Sequence, residues 1–319
     1  MFLEKINSVR ACSNSLKIDN DLHQFFPSRM GRLAVDLACL PLGLANYLRL
    51  SINTKANKSN NTIKTLAICC IVKNEAAYLD EFMRFHIAQG VDKFYIYDND
   101  SDDNIMSVLE PYIKKGYVEL NKIKGLSRHL DAYNDALRKH RTDADAIAFI
   151  DADEFMMPAP EFTTAKNAIT SFFKDHPNAC GLAVNWKLFG SNGYKTLKER
   201  PNLVTKAFKY RAADSFEKNW YIKSIVRPTR VLAFLNSHLP NCMQNRYCLG
   251  AKGKEVKSPL SEPCYDYLAL HHYFCKSYEE FLAKRNRGKS DSLDMRPIAE
   301  FAEHDQNVLL DDSATGVLN

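Results

Sequence analysis

Short apolar runs that end in polar clusters, separated by segments of helical period, constrain the fold of this 319-residue chain more than any other feature. Residues 65–72 form the first run, Thr-Leu-Ala-Ile-Cys-Cys-Ile-Val. A continuous apolar run of that length reads as a strand buried on both faces. Leu79, Phe82, Met83, His86 and Ile87 then recur at helical spacing, and Gly90 stops the helix. A second strand, 93–97, runs into Asp98-Asn99-Asp100-Ser101-Asp102-Asp103. Ile105, Val108, Leu109, Tyr112 and Ile113 mark the next helix, ended by Gly116. A short third strand follows at 117–120. Ser127 is placed to cap a helix in which Leu130, Tyr133 and Leu137 share a face. The fourth strand, 146–150, ends in Asp151-Ala152-Asp153-Glu154. This alternation predicts an α/β fold with a mostly parallel sheet and right-handed crossovers.

In open α/β sheets, ligands bind beyond the carboxyl ends of the strands. Here 73–75, 98–103 and 151–154 are all polar and all fall on one sheet edge, which predicts a crevice there. On an extended chain, a spacing of two points Asp151 and Asp153 to the same side and Glu154 away from it. Two hard carboxylates side by side suit a divalent cation that also holds phosphate oxygens. The acidic 98–103 loop would repel phosphate. It suits ribose hydroxyls or a base N–H instead, and a solvated turn is the competing reading.

The second half is less regular. A helix is expected over 161–174 and a strand over 181–188, with Trp186 near its end. Phe189-Gly190-Ser191-Asn192-Gly193 follows, either a sugar-binding loop beside an aromatic ring or an ordinary hairpin loop. Residues 203–235 hold short strands carrying Lys206, Lys209, Arg211, Lys223, Arg227 and Arg230, some of which could face a pyrophosphate. A late strand delivers His271 and His272 to opposite faces, so only one of them can reach a given site. Ser277-Tyr-Glu-Glu280 is a capping-box pattern. The helix it opens carries Lys284, Arg285 and Arg287, and leads into Gly288-Lys289-Ser290-Asp291, a loop able to fold over a diphosphate.

Composition narrows the class. Hydrophobic content of 45% and charged content of 25% describe a globular chain with a real core. The net charge of +5 is compatible with anionic substrates or a membrane surface and too small to imply nucleic acid. Nine cysteines lack framework spacing or a Cys-x-x-Cys pair, which fits a reducing compartment. No signal-peptide pattern is evident, so a cytoplasmic protein is expected, at most peripheral to a membrane. Asp36, Pro41, Asn46 and Arg49 interrupt the apolar stretch 33–50, which argues against a spanning helix. Residues 29–50 read either as a helix at the membrane surface, helped by Arg29 and Arg32, or as a helix on the main domain. The expected organisation is an N-terminal helical extension and linker (1–60), a main domain (61–290) and a tail (291–319).

One ordered set of motifs runs through the main domain. It comprises Lys73-Asn74-Glu75, Phe82 and His86 with Gly90-Val91, Tyr95 to Asn99 with Ser101 and Asp102, and Phe149 to Phe155. It continues with Trp186 and Phe189-Gly190-Ser191, Lys223 with Val226-Arg227-Pro228, and His272-Tyr273 with Lys276-Ser277, Glu279 to Phe281 and Arg287-Gly288. The set resembles the family 92 and family 2-like glycosyltransferases over about residues 66–290. What the resemblance implies is a GT-A, Rossmann-like fold with a mixed acceptor-side half. It further implies a nucleoside-diphosphate sugar donor, with a UDP-sugar foremost, and Mn2+ or Mg2+. The metal ligands it implies are Asp151, Asp153 and His272. The family often has Asn where this chain has His271, which leaves His271 as the rival imidazole. The donor would meet Val72, Asn74, Glu75, Asp98, Asn99, Asp151, Trp186, Lys223, Arg285 and Arg287.

The expected reaction is a single displacement with inversion by a hexosyltransferase, onto a hydroxyl of a glycan or glycolipid, as in surface polysaccharide or lipopolysaccharide synthesis. A carboxylate must take the acceptor proton, and Asp214, Glu217 and Asp266 are the candidates. One rival is a non-catalytic nucleotide- or carbohydrate-binding module on the same fold, against which the intact Asp151, Asp153 and His272 argue. A metal hydrolase is a second rival, for which His86 and His129 supply too few early ligands.

Overall fold

The computed structural model describes residues 28–53, 62–288 and 295–318, together with Val9, Cys12, Leu22, His23, Phe25 and Phe26. Residues 54–61, in the expected linker, and the Lys289-Ser290-Asp291 loop lie outside the described residues.

Two helices, α1 (Arg29–Ala38) and α2 (Leu40–Asn53), precede the sheet. Then follow β1 (Leu66–Val72), α3 (Ala76–Ala88), β2 (Lys93–Asp98), α4 (Ile105–Lys114), β3 (Val118–Lys122), α5 (His129–Lys139) and β4 (Ala146–Phe149). The second half contains β5 (Glu154–Pro158), α6 (Ala165–Asp175), β6 (Ala179–Leu188), a short α7 (Val204–Ala207), β7 (Tyr210–Arg211), β8 (Ile222–Val226), β9 (Val231–Phe234), β10 (Pro240–Cys242) and β11 (Tyr247–Leu249). It closes with β12 (Leu268–His272), α8 (Tyr278–Asn286), α9 (Ala299–His304) and β13 (Leu309–Leu310).

The main sheet runs β3-β2-β1-β4-β8-β6-β12-β5, with β11 added beside β6. The first four strands are parallel, as their alternation with helices requires. β8 then enters antiparallel between β4 and β6, and β12 pairs parallel with β6 and antiparallel with β5. The result is the expected architecture, a parallel half followed by a mixed half. β1 has β2 and then β3 on one side and β4 on the other, so the strand order reverses between β1 and β4. That reversal opens a crevice at their carboxyl ends.

β1 shows how the core divides. All seven of its residues are buried. Leu66, Ile68, Cys70 and Val72 join the cluster under α3, α4 and α6, with Phe82, Leu109 and Phe172. Ala67, Cys69 and Ile71 join the opposite cluster with Tyr133, Ala136 and Leu137 of α5. The period of two thus spends every side chain on one core or the other, at roughly 1.5–3 kcal/mol per large apolar side chain buried. Gly90 ends α3 with a φ of +87°, a conformation that a β-carbon would oppose.

Several local expectations change. Ser127 does not cap α5: it has a φ of +56°, and Arg128 holds the N-cap position. The 189–193 loop is pinned by the tail, with Ser191 N–H donating to Asp305 Oδ1 at 2.6 Å and Gly190 set against Gln306 and Asn307. Cys180 on β6 and Cys242 on β10 are disulfide-bonded, a pairing that their spacing of 62 residues did not suggest. The tail returns to the domain, where β13 pairs with β7 and Asp311 Oδ2 accepts from Arg211 Nε at 2.9 Å.

Candidate active site

The crevice between β1 and β4 opens into a cavity of about 330 Å³. Val72 and Lys73 from the end of β1, Asn99 after β2, and Asp151 and Asp153 after β4 all line it. The polar strand ends therefore converge as the strand order requires. The chain from 151 to 154 is a turn and not an extension of β4. Glu154 N–H donates to Asp151 O at 3.0 Å, and Asp151 N–H donates to Glu154 Oε2 at 2.9 Å. This reciprocal turn, rather than strand pleating, brings both aspartates to the cavity.

Each aspartate has its own lysine. Lys223, buried on β8, places Nζ 2.9 Å from Asp151 Oδ2. Lys284 on α8 pairs with Asp153 Oδ2. Each also has an imidazole at 3.6 Å, His129 Nε2 at Asp151 Oδ1 and His272 Nε2 at Asp153 Oδ1. Burial opposes ionisation of Asp151, but Lys223 and His129 outweigh it and bring the carboxyl to about 2. For Asp153, burial is likewise outweighed, by Lys284 and His272, and the carboxyl is held well below its usual range. Glu154 goes the other way. Burial, with Asp151 and Asp153 adding to it against Lys223, raises that carboxyl to about 8. The three acids of the 151–154 turn thus carry two negative charges at neutral pH, matched by two ammonium groups.

Around this centre, Trp186 and Tyr221 stack with ring centroids 5.2 Å apart. Trp186 Nε1 is buried and meets no acceptor among the described residues. His238 lies against both rings. Its Nδ1 is 2.8 Å from the Ile222 carbonyl, so Nδ1 must carry the proton and Nε2 is left as an acceptor. Burial and Lys223 lower its pKa to about 4, so the ring is neutral. His304 repeats the arrangement from the tail, with Nδ1 2.8 Å from Glu300 O and the ring stacked on Phe274. Arg287 reaches back to Glu75 and donates to Asn74 O at 3.2 Å.

The structure places the expected donor residues unequally. Val72, Glu75, Asn99, Asp151, Trp186, Lys223 and Arg287 line the cavity, as do Asp153 and His272. Asn74 is drawn into the loop instead, accepting from Asp102 N–H at 2.8 Å, and Asp98 accepts from Ser101 N–H at 3.0 Å. Arg285 donates to Arg296 O at 2.9 Å and does not line the cavity. His272 faces the site. His271 points to the opposite side of β12 and packs against Phe189 at 4.7 Å. The three expected bases lie elsewhere. Asp214 and Asp266 line a second cavity of about 760 Å³ beside the exposed Trp220. Glu217 is 79% exposed at its side chain and pairs with Lys218.

Sequence reading missed His238 and His304, and treated His129 only as too little for a hydrolase. It also missed Arg296, Glu300 and Glu303, which the tail brings to the cavity wall. The sequence signal was thin: single histidines and a polar helix with no motif around them.

Asp151, Asp153 and His272 are the side chains a divalent ion would use here. Two ionised carboxylates and a neutral imidazole have the right chemistry for Mn2+ or Mg2+. Their arrangement differs: among the described residues, no three His, Cys, Asp or Glu side chains converge on one point. Lys284 holds the carboxylate oxygen of Asp153 that an ion would need.

The family profile "Glycosyltransferase family 92" matches residues 64–280. A glycosyltransferase family 92 protein of Ricinus communis is 26% identical over 234 residues, covering 69% of this chain and 37% of that protein. One from Arabidopsis thaliana is 26% identical over 193 residues, covering 54% of this chain and 30% of that protein. The chain therefore spans about a third of the length of the curated relatives it matches. Among solved structures, S. aureus TarS (residues 1–349) is 15% identical with a TM-score of 0.35, over 51% of this chain and 47% of that one. The same TarS region in complex with UDP is 16% identical with a TM-score of 0.35, over the same shares.

Proposed function

The chain belongs to glycosyltransferase family 92, and we propose that it transfers a hexosyl group from a nucleoside-diphosphate sugar to a hydroxyl of a glycan or glycolipid. The observation that carries this reading is the doubly compensated Asp151–Asp153 pair at the strand-order reversal, under a wall of cationic and aromatic side chains. The reaction requires the anomeric carbon to be held between a departing diphosphate and an arriving hydroxyl. The cavity lining offers cationic side chains for the first and aromatic ones beside the second.

The diphosphate end is cationic. Lys284, Arg287 and Arg296 line one wall, and guanidinium groups bind phosphate oxygens in a fork geometry. As the glycosidic bond breaks, charge grows on the diphosphate, and fixed cations lower the barrier by meeting it there. The sugar end is aromatic. The stacked Trp186 and Tyr221 line it, an apolar surface for C–H groups of a hexose, and the unpartnered Trp186 N–H suits a hydroxyl.

The acceptor proton goes to His238 Nε2 in this reading. That nitrogen holds a lone pair because Nδ1 is committed to Ile222 O. The ring adjoins Trp186 and Tyr221 at the cavity. A hydroxyl that attacks the face of the anomeric carbon opposite the departing diphosphate gives an inverting displacement, the course this reading takes.

A divalent ion, if it joins the donor, would take Asp151, Asp153 and His272 as protein ligands, and the Lys284 ammonium would have to leave Asp153. Such an ion would supply further charge neutralisation to the diphosphate. The test is calorimetric titration with UDP and a panel of UDP-sugars, with and without Mn2+, followed by product mass analysis with simple glycoside acceptors. The reading expects UDP to bind and one donor to be turned over. Absence of nucleotide binding in either condition would overturn it.

A further inference from the structure

The first two helices carry their apolar side outward. In α2, Gly43, Asn46 and Leu50 face inward, while Leu42, Leu44 and Leu48 are each about half exposed. In α1, Val35 and Asp36 are buried and Met30, Leu33 and Leu37 are exposed. Phe25 and Phe26, just ahead, are 70% and 52% exposed. A helix docked on a water-soluble domain shows the reverse pattern, with its apolar stripe toward the core. Apolar side chains clustered over so short a segment form a patch, and a patch of this kind marks a docking surface.

The charge on this face identifies what it docks on. Arg29 and Arg49 are exposed. Asp36 is the only acid in the pair, and it is turned inward, 3.0 Å from His23 Nε2. The sequence that follows, 54–61, adds Lys55 and Lys58 and no acid. Neither helix alone is long and apolar enough to cross a bilayer; the pair together is, by length and composition, but the two meet at a bend of 64°. Their inner sides are fastened to the protein by buried polar bonds, such as Asn46 Nδ2 to Cys12 O at 3.1 Å. A bent pair fastened along one side lies on a surface and does not pass through it.

We propose that the outer face of α1 and α2 seats on an anionic lipid bilayer, with its leucines at the acyl boundary and Arg29 and Arg49 among the headgroups. The seat is joined to the active-site rim. His23 Nδ1 lies 3.0 Å from Asp131 Oδ1 on α5, and Arg32 reaches Asp131 Oδ2 at 3.3 Å and Leu126 O at 3.4 Å. Leu126 and His129, on either side of the start of α5, line the catalytic cavity. Seating the helices therefore holds the cavity mouth near the lipid surface, and the acceptor this selects is a glycan carried on a lipid. The acceptor step rests on the transferase reading, whereas the docking does not.

The experiment is flotation of the full chain with vesicles of phosphatidylcholine alone or mixed equally with phosphatidylglycerol, alongside UDP titration. The wild type is expected to float with the anionic vesicles and to release as salt is raised. The double variant Leu44→Glu, Leu48→Glu is expected to lose roughly tenfold or more of its partitioning with UDP binding unchanged. Wild type that stays at the bottom of the gradient overturns the proposal, and so does a variant that floats like wild type. A dimer by light scattering that the variant converts to monomer also overturns it, because a second copy then covers the face. UDP binding without flotation sinks the docking alone, and flotation without UDP binding sinks the transferase reading alone.

Discussion

Lys223 Nζ stands 2.9 Å from Asp151 Oδ2, projected from an antiparallel strand that has slipped in beside the parallel ones. Removing that ammonium leaves Asp151 facing only His129 and its own acidic neighbours. Lys223→Met is expected to destabilise the fold by about 2 kcal/mol, less than a fully buried pair because Asp151 is 34% exposed. Adding Asp151→Asn should recover part of the loss. Denaturant melts of the four proteins measure the coupling.

Asp153 carries the second half of the charge pairing. Asp153→Asn keeps the volume and the backbone bond from Tyr273 N–H to residue 153 O, so the variant should fold. Turnover should fall by about a hundredfold or more, because Asp153 fixes the Lys284 ammonium that meets the charge growing on the diphosphate. Normal turnover of a folded Asp153→Asn protein would remove this residue from the machinery.

His238 is the proposed proton acceptor. His238→Gln should bind UDP like wild type and lose about two orders of magnitude in turnover. Measuring binding and turnover on the same preparation separates this from a structural effect. A Gln variant of full activity assigns the proton elsewhere.

Arg200 and Glu280 form a pair with side chains only 2% and 5% exposed, joined at 2.6 Å. Burial opposes ionisation of Glu280, but Arg200 and Ser277 outweigh it and bring the carboxyl down to about 2 from an unfolded value near 4.5. The folded state therefore binds the proton less readily, and the stabilisation is complete above pH 4.5 and lost as pH falls toward 2. Glu280→Gln should cost about 3 kcal/mol at pH 7 and progressively less below pH 4.5. Urea melts across that range test it.

His86 adds a second acid-sensitive element. Its Nδ1 donates to Phe82 O at 2.9 Å and its Nε2 accepts from Met156 N–H at 3.2 Å, which only the neutral ring can do. Burial lowers its pKa to about 3 from 6.5. Below pH 6.5 the unfolded chain takes up a proton that the folded one refuses, so stability should fall by about 1.4 kcal/mol per pH unit toward pH 3. His86→Gln should flatten that slope while lowering stability at pH 7.

What could be read in advance follows from how local each signal was. The positions of β1 to β4 were legible because an apolar run bounded by polar residues admits few other conformations. The capping box at Ser277 and Glu280 forms as its four-residue pattern foretold. The three candidate bases were chosen from position along the chain, and chain position does not fix which cavity a loop faces. Asp214 and Asp266 lie in the second cavity for that reason. His238 was invisible because nothing within a few residues of it signals a role. Its partners, Ile222, Trp186 and Tyr221, meet it only across the folded sheet.

The sequence by itself determined the parallel half of the sheet, the edge on which its polar strand ends gather, and the alternation that lets only one of His271 and His272 reach the cavity. These are consequences of period and order, which the chain carries locally. Tertiary structure alone decided that it is His272 that faces the site, that Lys223 and Lys284 compensate the two aspartates, and that a tail with no motif completes the wall. Those outcomes depend on an antiparallel strand entering between β4 and β6 and on a terminal helix folding back. Both are contacts between residues distant in the chain, made where burial of charge requires a partner and not where any short pattern announces one.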